Sequence, residues 1–150
     1  MTTWRAFADA QPEMAETGRR LLERSGTGEG LLATVRDMAP PRIHPVNVGI
    51  VDGHLVTYAI AGSGKDRDLA ADGRYALHAH QDPAVPHELL IRGRAIPVTD
   101  RALAAAAAAG WAFTVDDGYR LYELSVDHVL LGERENADAW PPVYRSWRAG

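Results

Sequence analysis

Hydrophobic positions along this chain follow two different periods, and the change between them divides it into elements. Met14, Gly18, Leu21 and Leu22 recur at i, i+4, i+7 and i+8, one face of a helix. Pro12 suits the first turn, Glu13 and Glu16 its positive end, and Arg19, Arg20 and Arg24 the opposite end. A helix is therefore predicted over about 12–25. Gly26, Gly28 and Gly30 stop it.

From Leu31 the period shortens to that of a strand. Leu31 to Arg36 is one predicted strand, with a turn over Asp37 to Pro41. Arg42 to Val51 is the second, rich in β-branched residues, and Asp52-Gly53 is a hairpin signal leading into the third, His54 to Ile60. These three form a meander. Ser63 to Ala71 reads as a short capped helix, and Tyr75 to His80 as a fourth strand. A proline-bearing loop leads to a fifth, Glu88 to Val98, whose Pro97 marks an edge or a bulge. Asp100 caps a nearly pure alanine helix that ends at Gly110. Alternation resumes from Tyr119 to Gly132, a predicted sixth strand, before a tail carrying Trp140, Tyr144 and Trp147.

Six strands with short helices between them suggest a mainly β, closed antiparallel barrel with peripheral helices. The 150 residues form one predicted domain, with a helix over 12–25, a barrel over about 30–133 and an aromatic tail over 138–150. Composition narrows the function. A formal charge of −4 argues against general nucleic-acid binding, which needs basic excess to displace counterions. No apolar run approaches the roughly 20 residues of a membrane span. The opening MTTWRAFADAQPE has no signal core, so a cytoplasmic location is expected. With no cysteine, disulfides and thiolate metal sites are excluded.

Lys65 is the only lysine, every other basic side chain besides histidine being arginine. It lies with Ser63 and Gly64 at the start of the predicted helix that follows the third strand, where free amides and the helix dipole attract anions. A hydroxyl, a glycine allowing close backbone approach and a compact ammonium could form a phosphate cradle. The same residues also fit a capping box of Ser63 and Asp66 beside a solvated lysine, and spacing alone favours that simpler version. Both can hold together. Arg42 and His44 fall on one strand face, with Arg36 on the neighbouring strand; they could grip an anion or merely occupy a solvated face. His78 and His80 alternate on a strand, a spacing too unspecific to name a metal site. Trp140, Tyr144 and Trp147 suit packing at a subunit boundary. No nucleophile–base pair or paired acid stands out.

The ordered set GLLATVR, PRIHPV, DGHLV, SGK, DGRYALH, ELLIRGRA and LYELSVDHVLLGE resembles the pyridoxamine 5′-phosphate oxidase-like proteins, the FMN-binding split-barrel superfamily. The resemblance covers about Leu31 to Glu133 and rests on order and spacing rather than on one strict motif. It implies a six-stranded antiparallel split barrel and a homodimer holding FMN, or the deazaflavin coenzyme F-420, between subunits. It further implies that Thr34, Arg36, Arg42, His44, Pro45 and Val46 lie along the cofactor, with Ser63, Gly64 and Lys65 at its phosphate. The expected activity is hydride transfer between that cofactor and a small organic substrate. A cofactor-carrying protein without turnover is the alternative, and haem held through His44 or His78 is a third reading. RSWRAG lacks the histidine of the oxidase's Arg-x-His segment, and the chain is shorter than that enzyme. Oxidation of pyridoxamine phosphate itself is therefore not implied. A missing catalytic side chain is consistent with flavin chemistry, in which the cofactor carries the redox step.

Overall fold

A computed structural model describes residues 1–150. Two helices, α1 (Trp4–Ala10) and α2 (Pro12–Leu22), precede three strands, β1 (Glu29–Thr34), β2 (Arg42–Val51) and β3 (His54–Ile60). Then come α3 (Gly64–Ala71), β4 (Arg74–Ala79), β5 (Glu88–Pro97), α4 (Arg101–Ala109), β6 (Tyr119–Leu124), β7 (His128–Glu133) and β8 (Val143–Arg148). β1, β2, β3, β6, β5 and β4 pair antiparallel in that order, and β4 closes back on β1. The result is the six-stranded antiparallel barrel expected. β7 and β8 extend the sheet outward from β5.

The meander is present in the predicted order. At its Asp52-Gly53 turn both residues have positive φ, 50° and 84°, as the tightest hairpin turn requires. α2 buries Met14, Gly18 and Leu22. Met14 and Leu22 join Trp4, Phe7, Leu32, Leu77, Ile91 and Val129 in the main core. α4 packs Leu103 and Ala107 on Val56, Tyr58 and Leu121, a second cluster on the other side of the barrel wall.

One expectation is corrected, and two elements appear that were not foreseen from the sequence. The alternating run Tyr119 to Gly132 is two strands, not one. β6 pairs with Ala95–Pro97 of β5, whereas β7 pairs with Glu88–Arg92 of the same strand. The intervening Ser125–Asp127 crosses from one sheet to the other. Gly93 makes that crossing possible: a Cβ there would lie 2.1 Å from the Ser125 carbonyl oxygen. Val126 stays fully buried through the break, which is why the hydrophobic alternation hides it. The aromatic tail contains β8, and Trp147 packs on Phe7 of its own chain at a centroid distance of 5.1 Å. Finally, α1 was not foreseen. Its seven residues are too few for a periodic signal, and Thr3 caps it by accepting from the Ala6 amide at 3.1 Å.

Candidate functional site

Antiparallel register places Thr34 opposite Arg42 and Leu32 opposite His44, so Arg42 and His44 share the core-side face with Thr34. The chain leaves β3 through Gly62, whose φ of +79° turns it into α3. Ser63 Oγ accepts from the Asp66 amide at 3.2 Å, and Asp66 Oδ2 accepts from the Gly62 amide at 2.8 Å. The capping reading of Ser63 is thus present. It leaves the Gly64 and Lys65 amides of the first turn without an intrahelical partner.

Two carboxylates of α3 organise the polar side of the site. Asp66 also accepts from the Tyr122 hydroxyl at 2.6 Å, with Arg120 at 3.5 Å. Burial pushes its carboxyl up, but the bonds from Tyr122 and Gly62 and the charge of Arg120 hold it below its ordinary value. Burial, followed by the Asp66 contact, pushes the Tyr122 hydroxyl up to about 12. Asp68 is buried and gathers three of the predicted residues. Thr34 Oγ1 donates to Oδ2 at 2.8 Å, Arg36 Nε lies 3.4 Å from Oδ1, and Arg42 Nε lies 3.3 Å from Oδ2. The single Thr34 proton goes to Asp68, so the 3.0 Å contact with His44 Nε2 has the imidazole donating. Burial, then the charges of Lys65 and Arg42 against that of Asp68, lower the His44 pKa. The Arg42 guanidinium lies over the helix start, its Nη1 2.5 Å from where a Cβ on Gly64 would stand.

The apolar side is a cavity of about 240 Å³ lined by Pro45, Val46, Lys65, Tyr58, Trp111 and Phe113 among others. Tyr58 and Trp111 meet edge to face at 4.8 Å, and Phe113 and Tyr119 lie 5.0 Å apart. Lys65 has no carboxylate partner, in contrast with Arg36 and Arg42, and burial lowers its pKa. A larger groove of about 450 Å³ runs behind, between β2 and the end of α4. Trp111 and Asn47 line both cavities. The Trp111 ring lies against Gly49, where a Cβ would stand 2.8 Å from Cζ3, and its Nε1 is buried without a partner.

All nine predicted residues therefore converge on two adjoining places. Thr34, Arg36, Arg42, His44, Ser63 and Gly64 surround the start of α3, while Pro45, Val46 and Lys65 line the cavity beside it. Sequence reasoning missed Asp68, Tyr58, Trp111, Phe113 and Tyr119. Asp68 and Asp66 sit three residues and one residue past the cradle, and Tyr58 seven residues before Lys65, signals that were available; Trp111, Phe113 and Tyr119 come from segments more than 40 residues away. His78 and His80 do not join His44. His78 lies on the opposite sheet face, its Nδ1 bound to the Ala79 carbonyl at 2.7 Å, and His80 lies 3.6 Å from Glu29.

No protein-family model matches the sequence, and no curated protein does. Solved structures do match in shape. A haem-binding protein from Mycobacterium smegmatis superimposes with a TM-score of 0.64 at 20% identity over 85% of this chain. This chain spans only 56% of that protein's length. General stress protein 26 of Bacillus anthracis gives 0.60 at 19% identity, covering 77% of this chain and 91% of that one. A Clostridium acetobutylicum protein of the pyridoxine-phosphate oxidase family, related to general stress protein 26, gives 0.60 at 12% identity over 87% of this chain and 95% of its own. This chain has the split-barrel fold of the pyridoxamine 5′-phosphate oxidase-like proteins.

Proposed function

We propose that the site binds a flavin nucleotide, FMN or the deazaflavin F-420, and that the protein is an oxidoreductase moving a hydride to or from a small organic molecule. The observation that carries this reading is Lys65: a half-buried ammonium without a carboxylate partner, at the start of α3 and facing an aromatic-lined cavity. Removing a cation from water without a counter-charge costs stability, and an arriving phosphate would recover that cost. The donor set fits a phosphate: the Lys65 ammonium, the free first-turn amides of Gly64 and Lys65, and the Arg42 guanidinium above them.

When bound, the cofactor would supply the hydride chemistry. The chain's own residues would position it. Lys65 and the α3 amides would hold the phosphate, Asp68 would keep Arg42 at its edge, and Tyr58, Trp111 and Phe113 would exclude water. The cavity of about 240 Å³ is smaller than the roughly 300 to 1,000 Å³ of ordinary ligand pockets. A second copy of the chain would complete it, making the protein a homodimer. Trp140 and Val143, 72% and 73% exposed, offer that copy an apolar surface at the start of β8.

Titration of the purified protein with FMN, F-420 and riboflavin, followed by absorbance and fluorescence, tests the reading. Saturable binding of FMN or F-420 is expected. Lys65→Ala should weaken it by about tenfold to a hundredfold, the contribution of a hydrogen bond to a charged partner, with a much smaller loss for riboflavin. Equal losses for phosphorylated and dephosphorylated cofactor would place the phosphate elsewhere. Binding without reoxidation or reduction of the cofactor by any small substrate would favour the alternative, a carrier without turnover.

A further inference from the structure

A second group of cations lies on the outward face of the sheet, away from α3. One continuous cross-strand row reads Ile43, Ala33, Ala76, Arg92, His128 and Arg148, each directly opposite the next through β2, β1, β4, β5, β7 and β8. Directly opposed residues project to the same face with Cβ atoms about 5 Å apart. The first half of the row is apolar and the second half wholly basic. Two residues along β5, Arg94 stands opposite Arg74 on the same face.

Arg92 and Arg148 flank His128 on one face, so two guanidinium charges share it with no acidic residue in the row. Elsewhere the molecule neutralises such arginines: Arg74 pairs with Asp72 at 2.6 Å and Arg145 with Glu133 at 2.7 Å. Arg92, Arg94 and Arg148 have no such partner, although acidic residues outnumber lysine and arginine by 20 to 16. Asp127, next to His128 in the chain, forms no ion pair with Arg92 or Arg148. Arg92 turns its fork onto the imidazole, with Nε and Nη2 3.1 and 2.7 Å from His128 Nδ1. An Nδ1 that accepts from a guanidinium leaves the ring proton on Nε2, so His128 is a neutral ring whose remaining N–H is a donor.

We propose that Arg92, His128 and Arg148 form a second anion site, which takes the phosphoryl group of a small molecule. The guanidinium charges of Arg92 and Arg148 together match a phosphate dianion, and with the Arg92 Nε and Nη2 turned onto His128, the donors left for its oxygens are Arg92 Nη1, the Arg148 fork and the His128 Nε2–H. The site is separate from the Lys65 cradle. His44 and Arg42 belong to the core-side face of β2, whereas this row occupies the other face. Three contacts on a chain of charge −4 suit a small ligand, not a nucleic-acid backbone.

The test is a titration of the full-length protein, at constant ionic strength, with inorganic phosphate and with glycerol phosphate, read at the His128 imidazole by ¹H–¹⁵N NMR. Saturable displacement of the His128 signals is expected. The double variant Arg92→Gln/Arg148→Gln should weaken binding at least tenfold, while Lys65→Ala should leave it unchanged. Equal affinity for both probes would identify free phosphate as a sufficient ligand; tighter binding of glycerol phosphate would identify a phosphate monoester. An unmoved His128 signal, or a double variant that binds as the parent does, would overturn the proposal.

Discussion

The two ends of the α3 start treat positive charge in opposite ways. Around Asp68, two arginines and a threonine converge on one buried carboxylate, and His44 donates into the same network. One turn away Lys65 is also partly buried, yet it faces aromatic rings instead of a counter-charge. The first arrangement finds its counter-charges within the chain and holds β1, β2 and α3 together, although Asp68 Oδ1 is met only by the Arg36 charge and by no hydrogen bond. The second is incomplete, and its incompleteness is what marks it for a ligand. The presence of cations does not distinguish the two places; the presence or absence of an internal partner does.

Breaking the complete end should have the largest effect. Asp68→Ala leaves two arginines and a hydroxyl unpartnered and should cost about 3 kcal/mol, the low end for breaking a buried ion pair because both arginines are partly exposed. Urea denaturation with an unchanged m-value measures it, and a loss below 1 kcal/mol would show the cluster to be incidental. Thr34→Val keeps the shape and removes the hydrogen bond to the Asp68 charge together with the one accepted from His44, so about 2 kcal/mol should be lost by the same measurement.

The incomplete end should respond in the other direction. Lys65→Met removes a desolvated ammonium and keeps its apolar stem, so the cofactor-free protein should melt slightly higher while losing affinity for FMN. A lower melting temperature without cofactor would mean that Lys65 is satisfied internally after all. The smallest effect concerns pH. The folded His44 pKa lies below its unfolded value of 6.5, so its contribution to stability is complete above that value and declines as pH falls through and below it. His44→Gln should flatten this part of the stability profile between about pH 7 and pH 5; an unchanged slope would assign it to another group.

Much of this was legible along the chain. The meander, the Asp52-Gly53 turn, the caps of Ser63 and Asp100 and the buried stripe of α2 are local features, set by period and by turn or capping chemistry within a few residues. Strand period alone puts Arg42 and His44 on one face, but their choice as candidates, with Thr34, Arg36, Pro45, Val46 and Ser63 to Lys65, came from the family resemblance and not from any local pattern. What alternation could not show is where a strand changes partners. Tyr119 to Gly132 keeps its hydrophobic rhythm through Ser125–Asp127, because the core is buried on both sides of the break.

By itself, then, the sequence determined the elements and which side chains share a face. Only the tertiary structure decided which charges are neutralised. Asp68 meets Thr34, Arg36 and Arg42 because barrel closure brings α3 against β1 and β2, and Trp111 and Phe113 reach Lys65 from a segment more than 40 residues further on. Charge pairing depends on separations of a few ångströms between distant parts of the chain. No local period encodes such separations, so Lys65 became the unpaired cation only once the barrel had formed.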